Sequence, residues 1–195
     1  MKIKEGAIIV GVSARHLHLS PAHLEILFGA GATLTKYKDL RQPGQYACDE
    51  KVTIVGPKGS FENVRVLGPV RKDTQIEISM TDALKLGVTP PIRDSGDVVG
   101  TPGVELIGPK GSVKLDKGLI IAKRHIHMLP EEAQRYGVKD KDLVAVFCDT
   151  KGRKAILMDV LIRVNPTYAL EFHVDTDESN AAMLKTGDLV HIVEL

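Results

Sequence analysis

Two histidines one residue apart, directly behind an arginine, occur twice in this chain, as Arg15-His16-Leu17-His18 and Arg124-His125-Ile126-His127. Four of the seven histidines lie in these two motifs. Side chains alternate along an extended strand, so His16 and His18 share one face, as do His125 and His127. Two imidazoles so placed can converge on one metal ion, and imidazole suits zinc, copper, iron or nickel. Leu17 and Ile126 then point the other way, toward a core. One His-x-His pair in a β-rich chain is commonly an ordinary surface or core feature. Two copies, each behind an arginine and each at the matching place of a repeat, point to metal binding.

Each pair needs a further ligand. Setting the strand that starts at Val66 against the one that starts at Val160 brings TQIEIS (74–79) opposite YALEFHV (168–174). Glu77 then matches Glu171, and His173 follows two residues on along the same strand face. Glu77 and His173 are the third-ligand candidates. Three protein ligands leave one coordination position open, the mark of a catalytic rather than a structural zinc site. Arg71, six residues before Glu77, offers a planar fork to a phosphate or a carboxylate.

The elements that must position these groups are short. Runs such as AIIVGV, KVTIVG, TQIEIS, LVAVF and AILMDVLI, bounded by Gly, Pro and Asp, read as strands. SPAHLEILFGAG and LPEEAQRYGV read as helices, each with a proline in its first turn and a glycine at its exit. The same order comes twice: strand, R-H-x-H, proline-started helix, hairpin, strand, and a second helix ending ALKLGV (83–88) or MLKTGD (183–188). The turn GPKGS occurs at 56–60 and again at 108–112, where Pro and Gly are ordinary hairpin chemistry rather than a phosphate cradle. Residues 88–118, rich in Gly and Pro, read as a loop-laden connection. Short strands with capping helices, duplicated, predict two small β-barrels.

Composition narrows the function further. The 195 residues carry a formal charge of +1 with no long basic run, which speaks against a nucleic-acid or anionic-membrane surface. The short apolar start has neither spanning length nor a signal-peptide pattern, so a cytoplasmic location is expected. Cys48 and Cys148 form no C-x-x-C pair and read as reduced thiols.

GVSARHLHLS, GPVRKDTQIEIS, KRHIHM and EFHVDTDESNA together resemble the PduL-type phosphate acyltransferases, also called phosphate propanoyltransferases, over almost the whole chain. The resemblance implies transfer of a propanoyl or acetyl group between coenzyme A and inorganic phosphate. It implies two zinc ions per chain, one on His16, His18 and Glu77, the other on His125, His127 and His173. Arg71 would grip phosphate, with Gln75 and Ser95 beside it. Coenzyme A contacts would fall on Ser13, Lys38, Arg65, Leu67 and Asn180. The barrels would be interleaved, 1–14 with 123–195 forming one and 15–122 the other. Members packed in microcompartments carry an N-terminal amphipathic packaging helix, and the fifteen residues before His16 read instead as a strand.

Direct attack of phosphate on the thioester is preferred to an acyl-enzyme on Cys48 or Cys148, since neither cysteine lies near an activating constellation in sequence. Two rivals remain: a dinuclear zinc thioester hydrolase, with water in place of phosphate, and a metal-binding protein without catalysis. A homodimer is expected from the frequency of twofold assemblies.

Overall fold

A computed structural model describes residues 1–194 and shows a mainly β protein with four short helices. In chain order the first half contains β1 (Lys2–Ile3), β2 (Ile8–Ser13), β3 (His16–His18), α1 (Pro21–Phe28), β4 (Lys36–Asp39), β5 (Tyr46–Val55), β6 (Ser60–Gly68), β7 (Gln75–Glu77) and α2 (Met80–Leu86). The middle adds β8 (Ile92–Arg93), β9 (Glu105–Ile107), β10 (Ser112–Lys114) and β11 (Leu119–Ala122). The second half contains β12 (His125–Met128), α3 (Pro130–Tyr136), β13 (Leu143–Cys148), β14 (Ala155–Val164), β15 (Glu171–Asp175), α4 (Thr176–Ala182) and β16 (Leu189–Glu194). Among the described residues no helix is long and apolar enough to cross a membrane.

The chain divides into two compact units. One comprises Met1–Ser13, Arg41–Pro43 and the stretch from Lys123 onward, the other Ala14–Leu40 and Gly44–Ala122. Each R-H-x-H motif therefore follows directly on a change of unit.

In the first unit β2, β15, β12, β14, β13 and β16 pair in that order, and β16 pairs back onto β2 to close a six-stranded barrel. Closure removes the unpaired edges that an open sheet would present. Ile126, Met128, Val160, Ile162, Phe172 and Ile192 fill its core. In the other unit β10, β9, β5, β6, β3, β7, β11 and β8 form a curled sheet that does not close, with β4 paired to β5. Its core holds Leu17, Ile54, Val66, Ile76, Leu106 and Leu119. Leu17 and Ile126 are both wholly buried, as the alternation within R-H-x-H requires.

The duplication is closer than the sequence alignment suggests. β3 runs parallel to β6 with Leu17 beside Val66, and β12 runs parallel to β14 with Ile126 beside Ile162. Val66 thus corresponds to Ile162, not to Val160, a shift of two residues. The same offset equates Asn63 with Asp159, both at positive φ in the two hairpins. It equates Ser79 with Asp175, the N-caps of α2 and α4. Gly87 and Met183 also match, each ending its helix in the left-handed conformation. The second helix of the later half accordingly stops at Ala182, and MLKTGD is the turn that follows it.

The repeated GPKGS turns are helix clamps, both in the second unit. The Lys58 amide donates to the Leu86 carbonyl (3.0 Å) at the end of α2, and the Lys110 amide to the Leu27 carbonyl (3.0 Å) at the end of α1. A Cβ on Gly56 would stand 2.4 Å from the Leu86 oxygen, and one on Gly108 2.5 Å from the Leu27 oxygen. Glycine is required there by close backbone approach. The amides that a phosphate would need are engaged by helix carbonyls that lack partners of their own.

Candidate functional site

Cross-strand register builds the same constellation in both halves. On β3 and β7, His16 faces Glu77 and His18 faces Gln75. On β12 and β15, His125 faces His173 and His127 faces Glu171. Glu77 therefore corresponds to His173, and Gln75 to Glu171. The sequence alignment of Glu77 with Glu171 is corrected by the two-residue shift between the hairpins.

The arginines before the histidines anchor these strands rather than face the donors. Arg15 donates from Nε and Nη2 to the Asp82 carboxylate on α2 (3.0 and 2.7 Å) and lies 4.2 Å over the Phe61 ring. Arg124 donates from Nη1 to Glu178 on α4 (3.1 Å) and from Nε to the Met158 carbonyl (2.7 Å). Asp82 and Glu178 are equivalent under the repeat. The motif is thus a strand with two donors on one face, tied by its arginine to the second helix of its half.

His125, His127 and His173 bring one donor atom each within 4.8 Å of one another. Among the described residues this is the one such group of three. His125 shares its Nδ1 with the Lys123 carbonyl (2.7 Å), which directs Nε2 away from the backbone. His127 is buried, and neither of its ring nitrogens has a hydrogen-bond partner. Burial first, then the charges of His125, His173 and Arg163, push its basicity far below the usual imidazole range. A neutral imidazole with orphaned nitrogens is what a cation would require. Tyr168 stacks on its ring, centroids 4.3 Å apart, and accepts from Arg163 Nη2 (3.4 Å).

The His16 set is looser. His16 Nδ1 meets the Ala14 carbonyl (2.9 Å), repeating the His125 arrangement, and its Nε2 lies 3.6 Å from Glu77 Oε2. The His16 and His18 rings stand edge to face with centroids 5.6 Å apart. His18 Nδ1 is buried without a hydrogen-bond partner. Burial, followed by Arg71 and His16, lowers its pKa to about 3. Burial alone would raise the Glu77 carboxyl, but His16, Ser95, His18 and Arg71 outweigh it and hold it below the usual carboxylate range. A carboxylate and two imidazoles make a donor set that fits a divalent cation.

Ser95 and Gln75 gather around Glu77. Glu77 Oε1 accepts from Gln75 Nε2 (2.6 Å) and from Ser95 Oγ (2.7 Å). Gln75 Oε1 accepts from the Gly96 amide (2.7 Å). Half-buried Arg71 donates to Ser95 Oγ (3.3 Å), which puts a guanidinium next to the His16–His18–Glu77 set.

Comparison with known proteins decides the family. Residues 9–185 match the family model for phosphate propanoyltransferase. The chain belongs to the phosphate propanoyltransferase family. It is 68% identical to the phosphate propanoyltransferase of Thermotoga maritima over 191 residues, covering 98% of this chain and 91% of that one. It is 55% identical to that of Lachnoclostridium phytofermentans (96% and 87% covered) and 54% to that of Priestia megaterium (95% and 85%).

For a phosphate propanoyltransferase the placement of the remaining expected residues matters. Lys38, Arg65 and Leu67 lie in one unit, with Ala47 of β5 paired to Lys38 on one side and to Leu67 on the other. Arg65 donates to the Cys48 carbonyl and covers the exposed Tyr37 ring at 4.8 Å. Ser13 and Asn180 lie in the other unit, Ser13 beside Asp175 on β15 and Asn180 exposed on α4. Both cysteines are fully buried, and burial pushes each thiol up to about 11, unsuited to nucleophilic attack.

Sequence reasoning missed three neighbours of these donors: Gln42, Gly11 and Tyr168. Gly11 had a signal, since a glycine within a β-branched run marks a close approach. Gln42 had none, because its position depends on a loop returning to the barrel.

Proposed function

We propose that this chain moves a short acyl group, propanoyl or acetyl, between coenzyme A and inorganic phosphate. It would use two zinc ions, one on His16, His18 and Glu77 and one on His125, His127 and His173. The observation that carries the reading is Arg71, a fixed cation beside an ionised Glu77 and a neutral His18. A phosphate held there has its charge countered, and its oxygen can be aimed. Bound zinc would supply Lewis-acid polarisation of the thioester carbonyl and a soft partner for the departing sulfur.

The bond changes are simple. A phosphate oxygen forms a bond to the thioester carbon, the carbon–sulfur bond breaks, and coenzyme A leaves as its thiolate. Arg71 holds the phosphate. Ser95 and Gln75 keep Glu77 oriented and flank the phosphate side. Ser13, Lys38, Arg65, Leu67 and Asn180 are proposed to hold coenzyme A. The buried, weakly acidic cysteines favour direct transfer over an acyl-enzyme.

Release of coenzyme A from acetyl-CoA and propanoyl-CoA, with and without phosphate, tests this. Phosphate-dependent release that drops by about 10²–10³ in a folded Arg71→Ala variant is expected, the size of losing one transition-state donor. Release that does not need phosphate would replace the transferase by a hydrolase. No turnover in folded, zinc-replete protein would leave a binding protein.

A further inference from the structure

The residue facing the second histidine of each motif reaches along its own strand to the residue facing the first. Gln75 Nε2 donates to Glu77 Oε1 at 2.6 Å, and Glu171 Oε2 lies 2.8 Å from His173 Nε2. The donor sense is reversed between the halves. A carboxylate needs a donor behind it, and an imidazole needs an acceptor. Exchanging Glu for His at one position and Gln for Glu at its neighbour keeps one hydrogen bond between them.

We propose that Glu171 is a positioning residue: it accepts the Nε2 proton of His173 and thereby leaves His173 Nδ1 as the nitrogen offered to a metal ion. The inference rests on the reading that His125, His127 and His173 hold zinc.

Two further features are arranged around this carboxylate. Gln42, 3% exposed, donates from Nε2 to Glu171 Oε2 (2.8 Å) and to the Ala169 carbonyl (2.9 Å). Its Oε1 accepts from the Ala169 amide (3.2 Å), so flipping the side-chain amide would set like groups together on both sides. Gln42 belongs to the three-residue segment Arg41–Pro43, which joins the barrel unit while its sequence neighbours on either side do not. Gly11 on β2 pairs with His173, and a Cβ there would lie 2.5 Å from Glu171 Oε1 and 3.1 Å from His173 Cδ2. The locked amide and the cleared backbone hold the Glu171 carboxylate in one place against His173 Nε2, and carboxylates so placed behind metal-bound histidines fix the imidazole tautomer.

The test uses zinc itself, competed against a chromophoric chelator, in a His18→Ala background that leaves the His125–His127–His173 set intact. Zinc affinity in Glu171→Leu is expected to fall by about 10–100-fold, the range for partners behind metal ligands. Glu171→Gln keeps an accepting oxygen and should recover part of the loss, and Gly11→Ala should weaken zinc by displacing the carboxylate. Urea midpoints of the metal-free variants report folding, and should Glu171→Leu fail to fold, the isosteric Glu171→Gln, read against the parent, serves in its place; Gly11→Ala, whose Cβ also approaches His173, is supporting only. Unchanged zinc affinity in folded variants overturns the inference and leaves the zinc reading standing. A background protein that binds no zinc, and is unaltered by His173→Ala, overturns both.

Discussion

Arg15→Ala and Arg124→Ala together test whether the arginines of the two motifs are structural anchors. The Asp82 side chain is 6% exposed and takes two charge-assisted hydrogen bonds from Arg15, which is itself 40% exposed. Removing one partner of a fully buried pair costs about 3–5 kcal/mol. Exposure of Arg15 lets water reach the vacated site, so about 2–3 kcal/mol is the better figure for hydrogen bonds to a charged group. Losing the guanidinium over Phe61 adds about 0.5–1 kcal/mol, the size of an exposed cation–π contact. Arg15→Ala should therefore cost about 3 kcal/mol, or about 6–12 °C in melting temperature for a chain of this size. Arg124 makes one bond to Glu178 and a second, exposed one to the neutral Met158 carbonyl, and burial leaves the Glu178 carboxyl above its usual range despite the arginine. Its removal should cost about half as much, near the lower end for bonds to charged groups. Urea unfolding of metal-free protein measures both. An Arg15→Ala cost below about 0.5 kcal/mol, the level of an ordinary surface change, or a larger cost for Arg124→Ala, would refute the anchoring argument.

Two other outcomes are expected. Gly108→Ala should lower stability by about 1–3 kcal/mol, the cost of forcing an added methyl into packed structure, because its Cβ meets the Leu27 backbone oxygen; a urea midpoint equal to wild type would show that the clamp yields freely. Cys48 and Cys148, with thiols near 11, should resist iodoacetamide at pH 8 in native protein and react in urea, as mass spectrometry would show. Rapid native labelling of either would reopen a covalent route.

Some of the candidate site is legible in the sequence alone. Alternation within a strand is a local property, so R-H-x-H alone put His16 with His18, His125 with His127, and Leu17 and Ile126 in the cores. Duplication pointed to Glu77 and His173 as further donors even though the alignment paired Glu77 with the wrong residue. That alignment failed because strand register is set by hydrogen bonds between distant segments. Bulges at Asn63 and Asp159 and the parallel pairing of β12 with β14 decide which residues correspond, and no periodicity within a segment reveals them.

What the sequence determined by itself was the set of candidate donors and the strand faces they share, because residue type and two-residue alternation are carried by each short strand alone. What only the tertiary structure decided was how each donor is held. Arg15 and Arg124 find Asp82 and Glu178, Gln42 finds Glu171, and the GPKGS amides find helix ends, all through contacts between residues far apart in the chain. Those partners are selected by packing and by the need of every buried polar group for a mate, which is a condition on the whole fold rather than on any one segment.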